Sequence, residues 1–327
     1  MKNSWSASEV SQPSAGGRMP RRFRLLHRNE LDAVLRPAWA VKGLLPQTGL
    51  AVCYGPSGAG KTFLLLDLVC AIAEGAEWFG HRTTKAPVIY LCLEGAPGFV
   101  SRIRAWEAAR KRGLPELVRC SVQAFDLHDE ESVDSLVRSV LGLTCCLPAG
   151  LAPPIVVIDT LNRATVGADE NSSVSMGESI GACARISEGI GGLVVLGHHS
   201  GKDMERGMRG HNSLAAAADA VLLVRRSGQK RTWDAQKVKD GQDGVSGTFV
   251  HENVVLGHNR DGEQDTSCVV NPVCAPEPSR PTVPRRLAMA LAALKALLPP
   301  EASRDLELVI PEARWREAFL SACPATS

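Results

Sequence analysis

Five short, near-continuous apolar runs punctuate the middle of this chain, at residues 50–54, 88–93, 155–159, 193–197 and 220–224. A strand with one face in water alternates apolar and polar residues, whereas a strand of a parallel sheet is covered on both faces and does not. These runs therefore predict parallel strands. Helical patterns fill the intervals at 62–74, 98–111 and 174–187. Alternating strand and helix predicts an α/β fold, a mostly parallel central sheet with helices on both sides. After the fifth run, residues 232–239 and 247–256 are more polar and are separated by Asp240-Gly241 and Asp243-Gly244, which predicts a β-hairpin extension.

The ends have a different character. Residues 1–22 are Ser/Gly-rich and then basic, and are expected to be disordered. Residues 23–270 hold the α/β domain. Residues 271–286 carry five prolines and are expected to be a linker. In residues 287–327, Leu287, Leu291, Leu294 and Leu298 recur at helical spacing, as do Trp315, Phe319 and Cys323. That predicts a short helical tail, too small to bury much core alone and so part of a truncated domain or a docking element.

Composition narrows the class without deciding it. The chain has 327 residues, 44% hydrophobic and 22% charged, with a net charge of +2, so overall charge does not point to a polyanionic partner. Charge is uneven locally: residues 201–239 hold nine Lys and Arg against four acids. A basic surface facing solvent and a track for phosphates both fit that pattern. Of ten cysteines, Cys53, Cys70 and Cys92 lie in apolar runs, and no C-x-x-C pair occurs. There is no apolar stretch of membrane-spanning length and no signal-peptide pattern at the start. A reduced, cytoplasmic protein without membrane contact is expected.

Chemistry enters at Gly55-Pro56-Ser57-Gly58-Ala59-Gly60-Lys61-Thr62, which satisfies G-x-x-x-x-G-K-[ST] between an apolar strand and an apolar helix. Glycines there let backbone N–H groups wrap a β-phosphate at the positive end of the helix dipole. Lys61 is placed to reach the β- and γ-phosphates of ATP, and the Thr62 hydroxyl to ligate Mg²⁺. An accidental glycine turn would not be bracketed by a buried strand and an amphipathic-to-apolar helix.

Two further strands end in acids. Residues 155–159 close on Asp159, the position from which a carboxylate holds Mg²⁺ in P-loop enzymes. Thr160 follows it, so a base for the attacking water has to come from elsewhere. Glu94, emerging from the second run, sits where strand ends face the ligand crevice. The fourth run ends in Leu196-Gly197-His198-His199-Ser200, which places a polar side chain near the γ-phosphate.

This order of parts resembles the RecA-like ATPases and, more narrowly, the RepA-type hexameric helicases of plasmids and phages, relatives of the DnaB helicases. The likeness is carried by residues 44–62, 90–95, 155–159 and 198–202, and continues through 208–213, 218–220 and 237–241. The resemblance implies a sheet of order 5-1-4-3-2, Glu94 as catalytic base and His198 as sensor, with His199 next because register at a strand end is open by one residue. It also implies a homo-oligomeric ring, six subunits being the expected number, with ATP at the interfaces and cations reaching in from the neighbour. Lys237 and Lys239, alternating on one strand face, match a Lys-x-Arg pattern of the DnaB branch except that the second position is Lys.

The resemblance also implies that loops after strands four and five line a channel that holds DNA. Residues 200–210 are glycine-rich, basic and free of aromatics, which suits Lys202, Arg206 and Arg209 to gripping single-stranded DNA phosphates. The function so expected is an ATP-dependent DNA helicase or translocase of plasmid or phage replication, with a replication initiator or primase as a further partner. Two rivals stay open: a RecA-like recombination mediator, and a nucleotide-gated DNA-binding loader with little turnover.

Overall fold

The computed structural model describes residues 26–28, 30, 38–168, 172–200, 213–258 and 261–273. The chain divides into two units, Met1–Ala38 and Trp39–Ser327. In the first, the described residues form a single turn in which the His27 N–H donates to the Glu30 carboxylate.

The second unit is built on one nine-stranded sheet and a small two-stranded one, β1 (Trp39–Val41) with β2 (Leu45–Pro46). In chain order the large sheet comprises β3 (Gly49–Gly55), β4 (Val88–Cys92), β5 (Val118–Ser121), β6 (Ile155–Asp159), β7 (Leu193–His199), β8 (Ala220–Ser227), β9 (Lys230–Val238), β10 (Ser246–His258) and β11 (Gln264–Val273). Its spatial order is β11-β10-β9-β8-β3-β7-β6-β4-β5. The five apolar runs are therefore neighbours in the expected order 5-1-4-3-2, and all of their mutual pairings are parallel.

The sheet extends beyond that core at both edges. β5 pairs parallel with β4. Its four residues bury only Val118 fully, so no apolar run marks it in the sequence. On the other flank the expected hairpin is three antiparallel strands, because β11 pairs with β10 over ten residue pairs. β11 continues through Val273, into the segment read as the start of a linker.

Helices cover both faces. They are α1 (Lys61–Glu74), α2 (Ala96–Arg110), α3 (Glu130–Thr144), α4 (Ser173–Ile190) and the short α5 (Ser213–Ala217). Strand alternation divides the core in two. Cys53, Tyr90, Cys92, Val157 and Leu222 face α1 and α2, while Val52, Tyr54, Ile158, Leu196 and Leu223 face α3 and α4. α1 buries ten of its fourteen residues and ends at Gly75, whose left-handed backbone returns an N–H to the carbonyls of Ala71 and Ile72. α3, which the sequence reading passed over, starts on Asp129, whose carboxylate accepts from the N–H groups of Glu131 and Ser132.

The antiparallel strands curl over α1 and α2. Trp233 of β9 stacks on Trp78 at 5.0 Å, and Phe249 of β10 joins the same core. Arg110 at the end of α2 donates to both Asp67 of α1 (3.1 Å) and the Val270 carbonyl of β11 (3.3 Å). This clamp brings residues far from the P-loop in sequence above it.

Candidate functional site

A cleft of about 410 Å³ opens at the carboxyl ends of the parallel strands, within the usual size of about 300–1,000 Å³ for small-molecule sites. Ser57, Gly58, Gly60, Lys61, Thr62, Glu94, Asp159 and His199 line it, so the structure assembles residues the sequence singled out across 140 positions. A slightly larger groove of about 480 Å³ lies on the opposite flank between β5 and α3, but its lining brings no comparable convergence of cations, acids and backbone donors. Chemistry, rather than size, selects the first.

The P-loop begins where β3 ends. At Gly55 (φ 156°) a Cβ would run into the carbonyl of Val224 on the neighbouring β8, so only glycine lets the chain turn there. Gly60 (φ 99°) caps α1 in a left-handed conformation. Lys61 is buried, and its ammonium donates to the carbonyls of Gly55 (2.9 Å) and Pro56 (3.1 Å) and lies 3.3 Å from His199 Nδ1. Burial pulls the Lys61 pKa below the usual lysine value, with Cys53, Asp159 and Glu94 opposing the shift.

Asp159 is 4% exposed, and its two oxygens have different fates. Oδ2 accepts from the Tyr90 hydroxyl at 2.7 Å. Oδ1 is buried without a protein hydrogen-bond partner and faces Gly197, where a Cβ would come within 2.9 Å of it. An acceptor left over beside a phosphate loop is the chemistry a divalent cation needs. Among the described residues no three His, Cys, Asp or Glu side chains converge on a metal site. Mg²⁺ takes one or two protein oxygens and completes its shell with water and substrate phosphates. Thr62 and Asp159 would hold it.

The two histidines that end β7 face opposite ways. Asp159 pairs with Gly197, and side chains two apart share a face, so His199 turns to the Lys61 side. His198 turns the other way, fully buried with Tyr54 beside it on β3, and does not line the cleft. An ammonium can only donate, so His199 Nδ1 is placed to accept from Lys61. Nε2 lies 4.0 Å from Glu94 Oε2. Lys61, His199 and Glu94 thus stand in a row across the cleft, with the last step beyond hydrogen-bond reach.

Lys237 and Lys239 stay out of this cleft. Lys237 pairs with Val221 at the start of β8, at the far end of the strands, and its ammonium donates to the carbonyls of Ala215 and Ala216. Lys239 pairs with Asp219 at 3.1 Å. Lys202, Arg206 and Arg209 lie outside the described residues.

The cleft also holds residues the sequence reading missed. Arg102 of α2, Arg231 of β9, and Phe63 and His251 complete its wall. The subunit thus brings two arginines to the cleft besides Lys61. A signal existed: Arg231 shares the strand parity of Trp233, and His251 that of Phe249, which marks both as inward-facing.

The family described as an AAA domain (AAA_25) matches residues 20–205, more than half of the chain. That span contains the P-loop, Glu94, Asp159 and His199, and ends before Arg231 and His251. No curated protein matches significantly. Among solved structures, a DnaB-like replicative helicase, described with its interactions with primase, superposes with a TM-score of 0.50 at 14% identity, over 68% of this chain and 62% of its own. The RadB recombinase does so with a TM-score of 0.44 at 16% identity, over 62% and 87%. At these identities the likeness is one of fold.

Proposed function

This chain belongs to the AAA-domain family, and from that premise we propose that it is a RecA-like P-loop ATPase that hydrolyses ATP to move along or unwind DNA as a homo-oligomeric ring. The observation that carries the hydrolytic part is the Lys61–His199–Glu94 row beside the unpartnered Oδ1 of Asp159. Bound Mg²⁺ neutralises phosphate charge; the protein's own groups do the rest. Lys61 binds the β- and γ-phosphates. Glu94, about half exposed at the cleft mouth, orients the attacking water and takes its proton. His199 stands between the two, so that a change at the phosphate is felt at the start of the segment after β7.

DNA handling is supported by the motif order and by that segment's basic, glycine-rich sequence, which begins at the cleft where β7 ends. Ring assembly is supported by the motif likeness around Lys237 and Lys239, the second of which is two-thirds exposed. ATPase turnover with and without single-stranded DNA, alongside the mass of the assembly, tests this reading. Stimulated turnover by a ring of about six supports it. Turnover without strand displacement favours a recombination mediator, and binding without turnover favours a nucleotide-gated loader.

A further inference from the structure

The antiparallel strands reach the nucleotide cleft, which is the feature the motif-based reading leaves unused. β9 and β10 present a common face on which Trp233 and Phe249 anchor the core. Two residues nearer the P-loop on that face stand Arg231 and His251, and the register pairs Arg231 with Phe249. Both approach the loop closely. A Cβ at Gly60 would lie 2.8 Å from His251 Nε2 and 3.0 Å from Arg231 Cδ. The His251 ring also packs at a tilt against Phe63, the residue after Thr62, with ring centroids 4.4 Å apart.

Their polar atoms are largely unused. Arg231 is 7% exposed; its Nη1 donates to the Gln229 carbonyl at 3.2 Å, while Nε is buried without a partner. His251 Nε2 is likewise buried without a partner. A guanidinium with an idle donor, more than nine-tenths buried in the wall of a phosphate cleft, is unfavourable unless an anion completes it. Position then says which part of the anion. Glu94 and His199 gather on the side of the Lys61 ammonium, where the γ-phosphate is handled. Arg231 and His251 stand over Gly60 and Phe63, where the loop enters α1 and its backbone cradles the α- and β-phosphates.

We propose that Arg231, with His251 beside it, contacts the α- and β-phosphates of the nucleotide bound in its own subunit. The extension is thus a built-in wall of the nucleotide site, supplied in cis, and lies outside the segment that defines the family match. Burial, reinforced by Arg231, holds the His251 pKa down to about 4, so its ring is neutral and donates from one nitrogen, leaving the cationic role to Arg231. The proposal rests on the nucleotide-binding reading above.

The test is equilibrium titration of the full chain with fluorescent ATP and ADP in Mg²⁺, for the parent, Arg231→Gln, Arg231→Lys, His251→Gln and Lys61→Ala. A hydrogen bond to a charged group corresponds to a loss of about ten- to a hundredfold in affinity. Arg231→Gln should lose that much for ATP and ADP alike, with Arg231→Lys recovering part and His251→Gln losing less. Parent-like affinity in Arg231→Gln, or a loss confined to ATP, overturns the proposal. Should Arg231→Gln not fold, parent-like affinities in both Arg231→Lys and His251→Gln overturn it as well. A parent that does not bind ATP more tightly than Lys61→Ala sinks the underlying nucleotide reading instead. Mixing Arg231→Gln with Glu94→Gln subunits separates cis from trans. Groups of one subunit give no activity beyond the sum of the two variants, whereas a regain means Arg231 serves its neighbour and overturns the cis assignment.

Discussion

The Tyr90 hydroxyl donates to Asp159 Oδ2 at 2.7 Å across adjacent parallel strands and leaves Oδ1 as the only oxygen of that carboxylate without a protein partner. The pair divides the work of one side chain. One oxygen is spent on orientation, and the other is the acceptor proposed to hold Mg²⁺. Burial, and then the Asp159 charge, push the Tyr90 pKa well above the ordinary phenol value, so Tyr90 remains a donor at any working pH.

Tyr90→Phe should therefore free the carboxylate to rotate. We expect a stability loss of about 1.5–3 kcal/mol from the missing charge-assisted bond, together with a shift of the Mg²⁺ activation curve to higher concentration. Urea unfolding and a Mg²⁺ titration of ATPase rate check the two parts separately.

Glu94→Gln should keep ATP binding near the parent level and cut turnover by about 10²-fold or more, the usual scale for a lost general base. Lys61→Ala should abolish turnover by removing the cation at the β/γ-phosphates. Near-normal rates in Glu94→Gln would move the base elsewhere.

The two adjacent histidines should separate cleanly. His199→Gln removes the ring that stands between Lys61 and Glu94, and should lower kcat about tenfold or more while ATP affinity changes less. His198→Ala empties a fully buried site and should cost about 2 kcal/mol or more of stability. Steady-state kinetics and thermal unfolding on both variants decide which residue does which.

Acid stability should report on His251. Its folded pKa of about 4 lies below the ordinary 6.5, because of burial first and then Arg231, Arg226 and Arg102. Between those values the unfolded chain takes up a proton that the native state refuses, so stability falls as pH drops from 6.5 towards 4. His251→Asn should flatten that fall by about 1 kcal/mol at pH 5, allowing for partial solvent screening. Urea unfolding at pH 7 and pH 5 measures it; equal pH dependence in parent and variant would contradict the assignment.

Neutralising Lys202, Arg206 and Arg209 together should weaken single-strand binding and reduce its log–log salt slope by up to about two, at roughly 0.7 per phosphate contact. Unchanged affinity and slope would exclude that segment as the DNA track and turn attention to the basic residues at 18–28.

By itself the sequence determined the parts whose cause is local. Continuous apolar runs report burial on both faces, so the five core strands and three of the helices between them were legible. A P-loop is defined by which residues tolerate its backbone, so residues 55–62 were legible to the residue, as were the acids closing β4 and β6. The order 5-1-4-3-2 came from resemblance, since periodicity says nothing of which strands are neighbours. α3 was missed although Val133, Leu136 and Val140 recur at helical spacing behind an N-cap aspartate. β5 was missed because an edge strand buries too little to leave a pattern.

Only the tertiary structure decided which of His198 and His199 lines the cleft. Both end the same run, and their roles depend on which face of β7 meets α1, a fact fixed by pairing with β6 and not by either residue. Only the tertiary structure, too, brought Arg231 and His251 to Gly60. Some 170 positions separate Gly60 from Arg231, and no local preference records their contact. It arises because Trp233, Phe249 and Val270 bury their apolar surface against α1 and α2, and strand alternation then carries the next inward-facing side chains to the mouth of the P-loop.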